Sequence, residues 1–194
     1  QESRFQRKVL KLFEAAGVDR RYSIMDAEEV FMNSSFEEKN LFMSRAFDLA
    51  QIASASGEVP VGAVVVRDNK IIGEGFNQPI LTSDPTAHAE IIAMRNASKN
   101  IDNYRLTGCD LYVTLEPCLM CFGAMIHARI SNLFFGAAEP KSGIVTNKFL
   151  AKTGINLNHK IICEGGFLKD KCVFMMQEFF HKKREQARCV NKLK

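Results

Sequence analysis

Apolar residues recur at three- and four-residue steps through Leu41, Phe42, Ala46, Phe47, Leu49, Ala50 and Ile52, which predicts an amphipathic helix. Ser35-Phe36-Glu37-Glu38 reads as the capping box that opens it, and Gly57 marks its end. The period then changes. Residues 61–67 are a β-branched run of the kind found in buried strands, and Asp68-Asn69 turns the chain into a second strand at 70–74, giving a hairpin. A polar loop with Pro79 and Pro85 follows. Helices are expected over 88–100 and 118–127, and strands over 110–115, 131–136 and 160–163. Residues 137–158 read as irregular or partly helical. After the Gly165-Gly166 break, a long amphipathic helix is expected over 169–188. Strands alternating with helices predict an α/β layered fold whose second half is largely parallel. In such sheets, sites gather beyond the strand ends, where loops and helix N-termini converge.

Residues 1–34 stand apart from this pattern. Phe5, Val9, Leu12 and Phe13 lie at helical spacing, Gly17 can stop that helix, and Asp26, Glu28 and Glu29 reverse the charge of the basic residues before them. The expected division is a helical extension at 1–34, its role open, and one domain at 35–194.

Composition bounds the class. With 194 residues, 46% hydrophobic and 25% charged, the chain is ordinary for a globular domain with a sizeable core. No apolar run approaches the ~20 residues of a membrane span, so no membrane role is expected. No secretory signal opens the chain, and its start at Gln1 suggests a removed initiator Met or tag. Of the six cysteines only Cys118 and Cys121 form a close pair, which suits a metal better than a disulfide; a reducing, cytoplasmic setting is expected. Charge is uneven. Residues 181–194 hold six Lys or Arg against one Glu, a balance of +5, so the whole-chain +4 leaves 1–180 at −1. That tail reads either as a solvated helix end or as an arm for phosphates.

The chemistry sits in two short runs, His88-Ala89-Glu90 and Pro117-Cys118-Leu119-Met120-Cys121. They offer one imidazole and two thiolates, with a carboxylate left over. Three protein ligands leave one corner of a tetrahedral zinc open, as catalytic sites do. Cys118 and Cys121 are three apart, so on a helix they share a face, and Pro117 suits the first helical position. His88 and Glu90 are two apart and would point away from each other in a regular helix. The pair must therefore lie where a loop enters a helix, and Asp84-Pro85-Thr86 is a plausible entry. Either run alone could belong to a redox pair or a structural zinc site. Together they form the signature recognised in zinc nucleobase deaminases. His127, His159 and His181 have no partner visible in the sequence and read as structural or surface residues. Met120, Phe122 and Met125 read as core or dimer contacts.

From about 38 to 185 the chain resembles the bacterial tRNA-specific adenosine deaminases. The matching stretches include Glu58-Val59-Pro60-Val61-Gly62-Ala63-Val64, Gly73-Glu74-Gly75-Phe76-Asn77, Asp84-Pro85-Thr86-Ala87-His88-Ala89-Glu90, Leu111-Tyr112-Val113-Thr114-Leu115-Glu116-Pro117-Cys118 and Gly123-Ala124-Met125-Ile126-His127. The resemblance implies a three-layer cytidine deaminase-like fold, a five-stranded mixed sheet covered by helices on both sides, and a homodimer. It implies hydrolytic conversion of the wobble adenosine in a tRNA anticodon stem-loop to inosine. One zinc per chain would be held by His88, Cys118 and Cys121, with Glu90 as proton shuttle. Asn77 would contact the flipped base and Val61 would line its pocket. Lys141, in a loop that contacts RNA in the family, and Phe180, Lys183 and Arg184, on the C-terminal helix, would meet the RNA. Glu139-Pro140 departs from the family's usual acidic-plus-small pair before that Lys. The competing readings are a deaminase of free cytidine, cytosine or guanine, an RNA-binding protein with structural zinc, and a non-catalytic subunit of a heterodimer. The free carboxylate of Glu90 argues against the last two.

Overall fold

The structure, a computed structural model, describes residues 24–147 and 157–191, with side chains described over 36–147 and 157–189. The elements are α1 (Ile24–Ala55), β1 (Gly62–Arg67), β2 (Lys70–Phe76), α2 (Pro79–Thr82), α3 (Ala89–Asn100), β3 (Asp110–Leu115), α4 (Leu119–Ala128), β4 (Asn132–Ala137), β5 (Ile162–Gly165) and α5 (Lys169–Asn191). The chain clusters into two units, Gln1–Lys39 and Asn40–Lys194. The helical stripe expected around Phe5 to Phe13 lies outside the described residues. Among the described residues no helix is long and apolar enough to cross a membrane.

Five strands form one sheet in the order β2-β1-β3-β4-β5. The β1–β2 and β1–β3 pairs are antiparallel, and β3–β4 and β4–β5 are parallel. Asp68 and Asn69 both take positive φ, 49° and 55°. That is the backbone a two-residue hairpin demands, and Asp and Asn tolerate it. Alternate side chains on the strands feed two cores. Ala63, Val65, Leu111, Val113, Leu133 and Phe135 face the layer of α3 and α4. Val64, Val66, Tyr112 and Phe134 face Met43, Ala46 and Leu49 of α1, with Phe167 at the entry to α5. Rings run across this second face: Phe42 lies 5.3 Å from Tyr112, Tyr112 4.7 Å from Phe134, and Phe134 5.6 Å from Phe167. This is the three-layer deaminase fold that the resemblance implied.

Close approach of α3 to β2 fixes the site's height above the sheet. A Cβ on Gly73 would strike the Ala93 carbonyl, and one on Gly75 the Ala89 carbonyl. The Asn96 and Asn100 amides of α3 donate to the Glu74 and Ile72 carbonyls of β2, the edge strand, at 2.9 and 2.8 Å. Edge carbonyls left open would invite pairing with another chain.

Three expectations need correction. Ser35 opens nothing: α1 begins at Ile24 and runs through it, because the turn before a capping box can itself be helical. The loop after β2 is not wholly irregular. Glu58, buried, accepts the Leu81 N–H at 2.8 Å and steadies the short α2. The last strand lies at Ile162–Gly165 rather than 160–163, because the parallel register sets Asn132 against Ile162 and Phe135 against Gly165.

Candidate functional site

Two loop-to-helix junctions meet over the sheet. His88 is the N-cap of α3, with extended backbone (φ −72°, ψ 153°). Asp84 builds the entry: its Oδ1 accepts the Thr86 N–H at 2.8 Å and the Thr86 hydroxyl at 2.7 Å. Those bonds hold the Asp84 carboxyl below the usual carboxylate range. Cys118 is the N-cap of α4, again extended (φ −78°, ψ 172°). Pro117 therefore precedes the cap and does not occupy the first helical position, since an extended residue 118 is what turns its sulfur toward Cys121. Neither side chain makes a capping hydrogen bond at its helix.

His88 Nδ1 lies 3.8 Å from Cys118 Sγ and 3.5 Å from Cys121 Sγ. The three ligand atoms all fall within 4.8 Å of one another. Bond lengths of about 2.0 Å to nitrogen and 2.3 Å to sulfur put tetrahedral N and S ligands roughly 3.6 Å apart. The donor set therefore fits zinc in both chemistry and spacing. Among the described residues it is the only group of three such side chains so placed.

The electrostatics suit a cation. A hydrogen bond from the Cys121 thiol, helped by His88, lowers the Cys118 thiol to about 3, so it is a thiolate. The same bond, with burial, pushes Cys121 up. The thiolate in turn raises His88 above its ordinary value. Glu90, 4% exposed, is raised chiefly by burial; Cys121 hydrogen-bonds it and His88 attracts it. A carboxyl raised in this way keeps a proton more readily than an ordinary carboxylate and so can accept and return one.

The other predicted residues fall in two groups. Asn77 is buried, and its Oδ1 accepts the Ala89 N–H at 2.9 Å, filling one open donor of the α3 N-terminus. Its backbone N–H donates to the Val61 carbonyl at 3.0 Å, and Val61 is itself buried. Both therefore adjoin the turn that carries His88 and Glu90. Lys141 is exposed and lines, with Cys118, Leu119, Met120 and Ser142, a depression of about 530 Å³. Phe180, Lys183 and Arg184 lie exposed on α5. No described contact brings them to His88. Lys183 instead sits beside Gly57, with its ammonium 5.4 Å from the Phe179 ring centroid.

Two acidic residues escaped the sequence reading. Glu58 and Glu116 are each 2% exposed. Glu116 accepts four hydrogen bonds from the segment carrying Lys141. The available signal was its place, a lone acid between a buried strand and Pro117. Of the remaining cysteines, Cys109 and Cys172 are buried, Cys163 is half-buried and Cys189 is exposed, and all are free.

Residues 36–137 match the family described as the cytidine and deoxycytidylate deaminase zinc-binding region. A tRNA-specific adenosine deaminase of Haemophilus influenzae is 50% identical over 165 residues, covering 84% of this chain and 93% of that protein. One from Streptococcus pyogenes serotype M1 is 37% identical over 162 residues, covering 84% and 95%. A solved structure from work on A-to-I editing by tRNA:A34 deaminases at the wobble position of transfer RNA superposes with a TM-score of 0.65. It shares 38% identity and covers 69% of this chain and 97% of that one.

Proposed function

Because this chain belongs to the cytidine and deoxycytidylate deaminase zinc-binding family and to its tRNA-specific adenosine deaminases, we propose that it hydrolyses the wobble adenosine of a tRNA anticodon to inosine, with one zinc per chain. The observation that carries this reading is the meeting of one imidazole and two sulfurs beside a buried, unligated carboxyl.

In this proposal His88, Cys118 and Cys121 hold the ion and Glu90 moves the protons. When bound, the zinc would supply a cation that lowers the pKa of water to about 7. Glu90 takes a proton from the attacking water as its oxygen bonds C6 of the adenine, and passes that proton to N1. It then takes the hydroxyl proton and delivers it to the exocyclic amine. The C6–N bond breaks and ammonia leaves, so water and adenosine become inosine and ammonia. Burial of Glu90 supports both halves, because a raised pKa lets it hold the proton between steps. Asn77, with its carbonyl oxygen committed to Ala89, has its amide N–H groups left to hold the base. Val61 beside it supplies an apolar wall. The base must leave the anticodon stack first, at a cost of a few kcal/mol. Lys141, Phe180, Lys183 and Arg184 hold the RNA.

The same reading treats 1–34 as an extension separate from the 35–194 deaminase domain, and places the enzyme in the cytoplasm. It also takes the chain to be a homodimer. Leu119 and Met120, apolar and exposed on α4, support a second copy covering that face. Sedimentation of the zinc-loaded chain at twice the monomer mass is expected. The function is tested by incubating the protein with tRNA bearing a wobble adenosine and sequencing for inosine there. Inosine at that position, with no ammonia from free adenosine, cytidine or guanine, is the expected result. Turnover of a free base without inosine in tRNA would overturn it.

A further inference from the structure

Under the depression that holds Lys141 lies a carboxylate with no part in the chemistry described so far. Glu116 follows β3 and immediately precedes Pro117 and Cys118. Its Oε1 accepts the Val145 and Thr146 N–H groups at 2.8 and 2.7 Å. Its Oε2 accepts the Glu139 N–H at 2.9 Å and the Thr146 hydroxyl at 2.7 Å. Four donors from one segment thus converge on one side chain, as many as an ionised carboxylate accepts. The donors lie 23 to 30 residues along the chain from it. They bracket the loop rather than sampling one end.

The rest of the loop is built around that clamp. The Ile144 N–H donates to the Pro117 carbonyl at 3.2 Å, and its side chain is buried in the core beneath α3 and α4. Glu139 Oε1 accepts the Lys141 N–H at 2.9 Å, closing a turn over Pro140. The Asn147 amide donates to the Pro140 and Gly143 carbonyls at 3.1 and 3.0 Å. A Cβ on Gly143 would strike the Glu116 carboxyl. Only glycine lets the loop lie this close to the carboxylate.

We propose that Glu116 is a positioning residue: by fixing the 139–146 loop against the Cys118 junction, it sets where Lys141 stands and so how tightly the RNA is held, without touching the reacting atoms. This rests on the tRNA reading above. Hydrogen bonds to a charged acceptor are stronger than neutral ones, and one of them left buried and unpaired is costly. Glu116→Gln keeps the shape but turns an NH₂ toward Glu139 N–H or toward the Val145 and Thr146 amides. Thr146→Val removes one donor from the loop side, and Gly143→Ala forces the loop off the carboxylate. The last two change the loop and leave residues 116–118 unaltered.

The test is steady-state inosine formation in an anticodon stem-loop by the full zinc-loaded chain. For Glu116→Gln, KM should rise about tenfold, the size of one charge-assisted bond lost. Thr146→Val and Gly143→Ala should raise KM in the same direction, while kcat falls by less than about threefold. Zinc should stay at one per chain, and Thr146→Ser, which keeps the hydroxyl, should hold KM within about twofold of the parent. A purely structural role would instead lower melting temperature, zinc content or kcat with KM unmoved, and that outcome overturns the proposal. If Glu116→Gln does not fold, Gly143→Ala and Thr146→Val still decide it. Failure of the parent chain to make inosine sinks the tRNA reading and this inference with it. Inosine formation by the parent with unmoved KM in the variants sinks this inference alone.

Discussion

Glu90 is useful because it is buried and left unligated. In the proposed reaction it stands outside the ligand set assigned to His88, Cys118 and Cys121, so replacing it should separate metal binding from turnover. Glu90→Ala should keep one zinc per chain by elemental analysis while inosine formation falls by roughly 10²–10⁴, the usual worth of a positioned general acid–base. Retained activity would remove its role. Cys118→Ser should do the reverse and lose the zinc, since it removes one of the two sulfurs in the His88, Cys118 and Cys121 group. Full zinc occupancy in that variant would contradict the ligand assignment. The pH dependence of zinc affinity follows from the same three side chains. A proton must leave Cys121, whose thiol is pushed up, at any ordinary pH. His88, raised above 6.5 by its bond to Cys118, adds a second proton once the pH falls through its own titration. Because bound protons compete with the ion, affinity should fall on acidification, with a log-slope near one that steepens toward about two. Competition titrations with a chelator from alkaline to mildly acidic pH check this. A slope of one throughout would mean that His88 is not a ligand.

At the scale of elements, α3 is held to the sheet by absence of side chain. Gly75→Ala should push the Ala89 carbonyl, and with it the junction bearing His88 and Glu90, away from β2. The overpacking should cost about 1–3 kcal/mol. Thermal melting should fall and activity should drop further than melting explains, whereas unchanged melting would mean the helix sits farther out. What was legible beforehand at this scale was periodic or strictly local. The β-branched run of β1, the Asp68-Asn69 turn and the spacing of His88 from Glu90 each carry their meaning within a few residues, so the hairpin and the loop-to-helix junction were foreseen. What was missed depends on distant partners. α2 forms because Glu58, 23 residues back, takes the Leu81 N–H. β5 is placed by its register on β4. Glu116 has a purpose only after residues 139–146 fold over it. Pro117 and Ser35 misled for another reason: each has the chemistry of a helix start, but where a helix begins also depends on the backbone a neighbour requires.

Across the whole molecule, chemistry sits in the middle of the chain and the excess positive charge at its C-terminal end. The candidate metal junctions lie within 88–121, while the +5 balance lies in residues 181–194. Part of that charge is already engaged within α5, where Lys182 meets Glu178 at 3.5 Å. Lys183 covers the Phe179 ring beside a groove of about 650 Å³ lined by Phe47, Phe174 and Met175. Lysine and arginine next to exposed rings suit a flexible RNA loop, where phosphates meet the charges and bases stack on aromatic faces. If α5 works in that way, its contribution is counterion release, and each phosphate contact on single-stranded RNA adds about 0.7 to the salt slope. Replacing both Lys183 and Arg184 by Ala should therefore weaken log kcat/KM at low salt and flatten its dependence on log salt by roughly 1.4. The zinc content should not change, because neither residue adjoins the ligands. Measured between about 50 and about 200 mM salt, lines that fall but stay parallel to the parent's would assign these cations to the protein's own packing rather than to phosphates. A flattened line with kcat preserved would place the anticodon arm against α5.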